Sequence, residues 1–278
     1  MRTGPSTVDT QQAARWLAAR GIPLISATAN ALREDGVMRI TPDNDQFAEA
    51  LADELVSRSL VPTRLISDGP SDPYVGALSD SLARRWPGHL ERNVVDSTLG
   101  FQRAVQQLCQ DDSVVFYSGR SAGLRNVVNS IAIVCPNQPI TVVTETIGID
   151  EAAREVHRTK LTLVYASPVD PAGWASGSVY APPGFARFEA SYSAQFADRL
   201  DDGYALLHHD AALAAFTAVN YTVAIATPAV VREALQRFEI QGATGAISFG
   251  QAGSPVGKPI AVLDFPRRPS DRAPYVTR

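Results

Sequence analysis

The chain has 278 residues, of which 45% are hydrophobic and 19% are charged, and its formal net charge is −4 at pH 7. This length and hydrophobic content are enough for two lobes with substantial cores. Lys and Arg are scattered along the chain, so the composition excludes the basic surface that nucleic-acid or anionic-membrane partners need. No apolar run approaches the roughly 18 residues that span a bilayer, and residues 1–20 lack a secretory signal pattern. The sequence therefore leaves the localisation open.

The first part of the chain is predicted to start a lobe without a strand ahead of its first helix. A helix is expected over residues 11–19, followed by a short strand at 22–25. Apolar residues keep helical spacing over 45–59, so a second helix is predicted there. Val61-Pro62 then predicts a crossover between the two lobes, because the residue before a proline is usually extended.

The middle of the chain alternates short apolar segments with amphipathic ones. Strands are predicted over 63–67, 93–96, 114–117, 140–144 and 161–165, with helices over 75–85, 101–109, 124–134 and 151–157. This alternation is typical of an α/β, doubly wound parallel sheet. Three of the loops should then share the sheet edge where such folds bind ligands, namely 68–74, 118–123 and 145–150.

After residue 165 the composition changes. A stretch rich in Pro, Gly and Ser predicts a long irregular connection, and helices are expected over 185–200, 203–219 and 229–238. The end of the chain predicts two short strands around a Gly-rich turn.

Cys109 and Cys135 are the two cysteines of the chain, which is too few for a disulfide framework or a zinc site. Two buried free thiols are the favoured interpretation, and a single bridge between them is the alternative.

The pentapeptide Gly119-Arg120-Ser121-Ala122-Gly123 matches the G-x-S-x-G nucleophile elbow and lies between a predicted strand and helix. A serine hydrolase built on Ser121 is therefore an alternative function. Its acid and base would be sought among Asp150, Asp170, Asp201, His208 and His209. Both histidines lie in an apolar helical stretch and no HGG-type oxyanion segment exists, so a catalytic triad is disfavoured.

Metal and nucleotide chemistry have no support in the sequence. His208 and His209 are adjacent, so on a helix their side chains point about 100° apart and do not easily share one ion. The chain has no GxGxxG, no Walker lysine and no HExxH motif. No cofactor and no metal are therefore expected.

Several polar side chains are expected to converge on the edge that the three loops share. Tyr offers a ring with a hydroxyl, Glu a carboxylate for an ammonium, and Arg a fork for a carboxylate. Together these groups suit the capture of a small polar or zwitterionic molecule. The residues concerned are Asp68, Asp72, Tyr74, Arg120 and Glu145.

The order of segments resembles the type 1 periplasmic binding-protein fold, in particular the branched-chain amino-acid (Leu/Ile/Val) binding proteins of ABC importers. The resemblance extends over nearly the whole chain and rests on order and spacing. It is carried by GPST with IPLISATAN, RITPDNDQFAEALADEL, DPYVGAL, VVFYSGRSAG, TVVTETIG, and GYALLHHDAALAAFTAV with GATGAISFGQAG.

The resemblance implies a set of ligand-binding residues on both lobes. Ser6, Thr7, Thr28 and Asn30 would lie where the family holds the carboxylate and amine of an amino acid. Tyr74 matches the cleft tyrosine, and Glu145 matches the acidic residue that binds the ligand ammonium. Ser118, Arg120 and Ser121 would line the cleft, with Ser121 as a hydrogen-bond donor. Asn30 replaces a threonine-like donor and Arg120 adds a positive charge, which is compatible with a more acidic or carboxylated ligand.

The fold implied is two-lobed, with each lobe a parallel sheet flanked by helices. Because the family's opening strand–helix units are absent, the first lobe is expected to be N-terminally truncated. Residues 1–61 and 166–243 are assigned to this incomplete N-terminal-type lobe, and 62–165 and 244–278 to the C-terminal-type lobe.

The function implied is a solute-binding receptor for ABC-type uptake or sensing. Its partner would be an ABC permease or a fused domain of a longer chain, and it would be extracytoplasmic. A ligand-less interaction module is a further alternative.

Overall fold

The computed structural model of the chain describes residues 7–32, 34–69, 72–111, 113–145, 156, 160–196, 203–222, 227–265 and 274–276. The chain divides into two units. Unit 1 comprises Met1–Asp43, Pro168–Ala261 and Ala273–Arg278, and unit 2 comprises Asn44–Ser167 and Val262–Arg272. The predicted helix over 151–157 lies outside the described residues apart from Val156.

The helices and strands follow the predicted order, with additional strands at 37–39, 240–242 and 275–276 that were not predicted. They are α1 (Thr7–Ala18), β1 (Leu24–Ser26), β2 (Val37–Arg39), α2 (Asn44–Ser57), β3 (Arg64–Asp68), α3 (Pro73–Arg85), β4 (Glu91–Val95), α4 (Thr98–Asp111), β5 (Val114–Ser118), α5 (Ser121–Val134), β6 (Ile140–Glu145), β7 (Leu161–Ser167), α6 (Pro171–Ala175), α7 (Phe185–Phe196), α8 (Tyr204–Tyr221), α9 (Pro228–Arg237), β8 (Ile240–Gly242), β9 (Gly245–Ile247), β10 (Pro259–Phe265) and β11 (Tyr275–Val276).

Unit 2 is built on the predicted doubly wound parallel sheet. Its strands lie in the order β10-β7-β6-β5-β3-β4, and β10 belongs to this unit from Val262 onward. The start of β10 belongs to unit 1, where Pro259 and Ile260 pair antiparallel with β11. The pairs β3–β4, β3–β5, β5–β6 and β6–β7 are all parallel. The chain runs from β3 outward to β4 and then returns across β3 to β5, so the strand order reverses between β3 and β5. In open α/β sheets the carboxyl ends of strands at such a reversal form a ligand-binding crevice.

Both faces of this sheet are covered at its centre, where all five residues of β5 are buried. One face packs against α4 and α5 through a core that includes Val105, Leu108, Val127 and Ile131. On the other face Trp86, which follows α3, meets Phe116 edge-on at 5.8 Å between ring centroids. A continuous apolar strand such as β5 is what a doubly covered parallel sheet requires.

In the described residues, unit 1 has less sheet than unit 2. In its described part the parallel sheet has two strands, β1 and β2, and β8 and β9 form an antiparallel hairpin. Its larger core packs α8 and α9 against β2, α6 and the hairpin, with Leu206, Ala214, Leu235 and Ile247 all buried.

A buried charged cluster joins α8 to the turn of the β8–β9 hairpin in unit 1. Asp210 is fully buried and accepts hydrogen bonds from the backbone N–H groups of Ala243 at 2.7 Å and Thr244 at 2.9 Å. The Thr244 hydroxyl also donates to Asp210, and the Lys258 ammonium donates to that hydroxyl. Lys258 Nζ lies 3.9 Å from Asp210 Oδ2. A Cβ on Gly242 would overlap the Asp210 carboxylate, so glycine allows this close approach.

Because of this buried cluster, we expect the free energy of unfolding to increase as the pH rises above neutral. Burial lowers the pKa of Lys258 to about 8, although the charge of Asp210 opposes the shift. In the unfolded chain a lysine titrates near 10.4, so between these values the unfolded state binds more protons and stability rises with pH. From pH 7.5 to 9.5 the free energy of unfolding should rise by about 2 kcal/mol relative to Lys258→Met. Urea unfolding of both proteins across this range measures the difference, and parallel profiles would contradict it.

The boundaries of the two units differ from the expected lobes. Residues 44–57 were assigned to the first lobe, whereas α2 belongs to unit 2 because it packs against α3 and β7. Residues 244–261 belong to unit 1, because the hairpin and Lys258 bind Asp210 there.

Two local features also differ from the expectations. The connection after residue 165 contains α6, which begins because Asp170 accepts a hydrogen bond from Gly173 N and Pro171 occupies the first turn. Cys109 and Cys135 form a disulfide, with their Cα atoms 6.2 Å apart. The interpretation as two free thiols is therefore wrong, because the ends of α4 and α5 pack side by side.

Candidate functional site

The centre of the candidate site is a buried pair formed by Tyr74 and Glu145 in unit 2. Asp72 caps α3 by accepting a hydrogen bond from Tyr74 N at 2.9 Å, which places Tyr74 in the first turn of the helix. Glu145 is the last residue of β6, at the carboxyl edge of the sheet. The Tyr74 hydroxyl donates to Glu145 Oε2 at 2.5 Å, and the two residues are 1% and 6% exposed. Burial, together with the Glu145 charge, raises the pKa of Tyr74 well above its usual range, so the hydroxyl remains a donor.

Arg120 covers the ring of Tyr74. Its Nε and Nη2 donate to the two carboxylate oxygens of Asp72 at 2.8 and 3.1 Å, which is a bidentate pair. Its guanidinium carbon lies 4.6 Å from the centroid of the Tyr74 ring, a cation–π distance. Burial alone would lower the pKa of Arg120, but the hydrogen bonds and charge of Asp72 and the charge of Glu145 raise it. The arginine is therefore a permanent cation in the site, already paired with one carboxylate.

The glycines of the G-x-S-x-G pentapeptide have a packing role. Asp68 Oδ1 accepts a hydrogen bond from Arg120 N at 3.1 Å, and the Tyr117 hydroxyl donates to Arg120 O at 2.9 Å. A Cβ on Gly119 or Gly123 would overlap Asp68 and the Tyr117 hydroxyl. The glycines thus let Asp68 and Tyr117 hold the backbone that carries Arg120. Burial raises the pKa of Asp68, and its hydrogen bond with Tyr117 opposes that shift.

The two serines of the central loop occupy different environments. Ser118 is fully buried, and its hydroxyl donates to Val75 O at 2.9 Å, so it fastens the first turn of α3 to β5. Ser121 is the first residue of α5 and is partly exposed.

The structure does not assemble a catalytic triad around Ser121 in the described part of unit 2. The histidine described there is His89, which precedes β4 and therefore lies at the amino edge of the sheet, opposite Ser121. His208 and His209 belong to unit 1. His208 Nδ1 bonds to Tyr204 O at 2.7 Å, and His209 Nδ1 lies 3.0 Å from Asp210 Oδ1. Asp170 caps α6, and Asp150 and Asp201 lie outside the described residues.

The residues that the resemblance assigns to the first lobe are only partly described. Thr28 and Asn30 follow β1 in unit 1, where Asn30 is buried and Thr28 is half-buried. Thr7 begins α1, and its side chain and all of Ser6 lie outside the described residues.

Unit 1 also contains a cavity of about 490 Å³ that holds none of the predicted site residues. Its lining is apolar, so it lacks the polar groups that orient a polar ligand. The lining residues are Ile22, Pro23, Ile25, Ala211, Ala212, Ala215, Val219, Pro228, Val231 and Leu235.

The described residues contain no group of three or more His, Cys, Asp or Glu side chains placed to hold a metal ion. Within the same part of the chain, no helix combines the length and hydropathy needed to cross a bilayer.

Solved structures identify the fold. The chain is similar to the leucine-binding protein LivK of Thermotoga maritima, with a TM-score of 0.73 and 12% identity, covering 93% of this chain and 74% of that one. The type 1 periplasmic-binding-protein fold is thus confirmed.

Two further type 1 structures match equally well. One is the branched-chain amino-acid transporter substrate-binding protein LivJ of Streptococcus pneumoniae in complex with isoleucine, with a TM-score of 0.74 and 16% identity over 94% of this chain and 74% of that one. The other is an ABC-transporter solute-binding protein of R. palustris in complex with benzoate. Its TM-score is 0.70 and its identity 14%, and the match covers 95% of this chain and 72% of that one. About a quarter of each neighbour's chain thus has no counterpart here. The sequence matches no family model, and no curated protein is significantly similar to it.

Proposed function

We propose that the chain is a non-enzymatic solute-binding receptor that captures a small polar ligand for ABC-type uptake or sensing. One observation carries the proposal: the buried Tyr74–Glu145 pair, with Arg120 over it, lies at the carboxyl edge of the sheet beside the strand reversal. Support comes from the type 1 structures, whose names describe them as binding proteins for leucine, isoleucine or benzoate.

The residues of the site have distinct roles in this proposal. Glu145 binds an ammonium group of the ligand, and the Tyr74 hydroxyl holds the carboxylate in the orientation for that contact. Ser121 donates a hydrogen bond from the first turn of α5. Ser118 supports the site through Val75.

On unit 1, Ser6, Thr7, Thr28 and Asn30 are proposed to bind the carboxylate and amine. This part of the proposal rests on the family resemblance alone.

The partner is proposed to be an ABC permease or an attached sensor domain, and the location to be extracytoplasmic. The Cys109–Cys135 disulfide supports this location, because such bonds persist in oxidising compartments and are rare in the cytosol.

Replacement of Glu145 by Gln tests the proposed site. A thermal-shift screen against amino acids, small carboxylates, amides and purines should first find a compound that raises the melting temperature. A compound at a hundredfold excess over its Kd adds about 2.7 kcal/mol of stability. Glu145→Gln should lower the affinity for that compound about tenfold or more, because a hydrogen bond to a charged group contributes about 1.5–3 kcal/mol. Calorimetric titration measures the change.

Glu49→Gln is the matched control, since Glu49 forms a half-exposed pair with Arg85 at 3.9 Å in the same unit. Unchanged affinity in Glu145→Gln would remove Glu145 from the site. A sharp melting transition with no shift by any compound would favour the interaction module. Labelling by a fluorophosphonate probe that disappears in Ser121→Ala would favour the hydrolase.

A further inference from the structure

We infer that Arg120 determines specificity: it selects amino acids whose side chain carries a carboxylate or carboxamide, and it disfavours amino acids whose side chain is aliphatic. The inference rests on the proposed function and concerns the same site in unit 2. The geometry behind it is a guanidinium with one edge bound to Asp72 and with no hydrogen-bond acceptor on the other edge among the described residues.

The hydrogen bonds of Arg120 show which donors remain. A guanidinium has five N–H donors in a planar fork. The bidentate pair with Asp72 uses the edge formed by Nε and Nη2. Among the described residues, Nη1 has no hydrogen-bond acceptor, and the side chain is 37% exposed. Because the side chain is partly exposed and Nη1 is not used by the Asp72 pair, we assign the contact with the ligand to Nη1.

The position of Arg120 is held from three directions, so the Nη1 edge has a defined orientation. Asp72 binds its inner edge, the Tyr74 ring lies against its face, and Asp68 and Tyr117 hold its backbone. A side chain fixed in this way loses little conformational entropy when a ligand binds.

The charges favour a ligand with both a cationic and an acceptor group. Arg120 and Asp72 form an ion pair, and the proposed function assigns the ammonium of the ligand to Glu145. Because the Arg120 charge is already paired, a neutral carboxamide oxygen can satisfy Nη1 as a carboxylate can. An aliphatic group there would cover the donors without an acceptor, and a buried unsatisfied donor costs roughly five- to 150-fold in affinity.

The test is calorimetric titration of the purified 278-residue protein with L-glutamine, L-glutamate, L-leucine and L-norleucine. At least one of the first two should bind about tenfold or more tightly than either aliphatic amino acid. Arg120→Met should remove this preference by weakening the acceptor-bearing ligand, with little change for leucine. Arg125→Met is the control and should keep the preference, because Arg125 is an exposed arginine in the helix that Arg120 precedes.

Arg120→Lys is a second variant that tests the inference even if Arg120→Met does not fold. It keeps the cation but lacks the two-edged fork, so it should also lose most of the preference. If the unchanged protein binds neither glutamine nor glutamate more tightly than leucine, the inference is overturned and the receptor function stands. Equal weakening of all ligands in both variants would also overturn it, because that result indicates a structural role. If neither acceptor-bearing amino acid binds while another compound of the wider screen does, the inference fails and the receptor function survives.

Discussion

Replacing Asp210 by Ala is expected to destabilise the protein by about 3–5 kcal/mol, the cost of removing one partner from a buried charged pair. The Asp210 carboxylate accepts from the backbone N–H groups of Ala243 and Thr244 and from the Thr244 hydroxyl. Without it, these donors and the buried Lys258 ammonium lose their acceptor. The free energy of unfolding from urea titration measures the loss.

Two further variants separate the contribution of the Asp210 charge from that of its contact with His209. Asp210→Asn keeps the side-chain volume and one acceptor oxygen, so it should lie between the original protein and Asp210→Ala. His209→Ala removes a half-exposed contact to Asp210 and a ring contact with Phe188 at 4.7 Å between centroids, and should change stability by about 1 kcal/mol. If Asp210→Ala and His209→Ala lose equal amounts, the hairpin does not depend on this carboxylate.

The architecture of unit 2 was largely predictable because it follows from patterns of residues that are close together in the sequence. The apolar segments at β3, β5, β6 and β7 are short and separated by stretches with an amphipathic sequence pattern, and this pattern allows few arrangements other than a parallel sheet. Unit 1 was less predictable. The turn between β8 and β9 is held by Asp210, 33 residues earlier in the chain, and no local pattern indicates such a contact. The boundary at α2 was missed for the same reason, since it depends on which neighbour the helix packs against.

The candidate site was predicted by residue type but not by pairing. The sequence placed Tyr74, Arg120 and Glu145 at one sheet edge, because each follows or ends a predicted strand. It suggested Arg120 as a free fork for a ligand carboxylate, whereas the structure pairs one edge of the guanidinium with Asp72.

Tyr117 was missed as a supporting residue because a tyrosine in an apolar run looks like core. The two glycines that follow it were the available signal, since they mark a close approach. Their meaning depends on Asp68, which is distant in sequence.

Reduction of the Cys109–Cys135 disulfide is expected to destabilise unit 2 by about 3–4 kcal/mol, because the bond closes a loop with a sequence separation of 26 residues. The bridge restricts the unfolded chain between the ends of α4 and α5. Far-ultraviolet circular dichroism during thermal unfolding, with and without reductant, should show a lower melting temperature for the reduced protein.

The paired variant Cys109→Ser and Cys135→Ser is the control: it should melt like the reduced protein and be insensitive to reductant. Thiol titration of the denatured chain should find no free thiol before reduction and two after it, since the chain has two cysteines. Two free thiols in the untreated protein would show that the bridge is absent. That result would remove the support that the disulfide lends to an extracytoplasmic location, while the Tyr74–Glu145 site, which shares no residue with the bridge, would remain to be tested by its ligands.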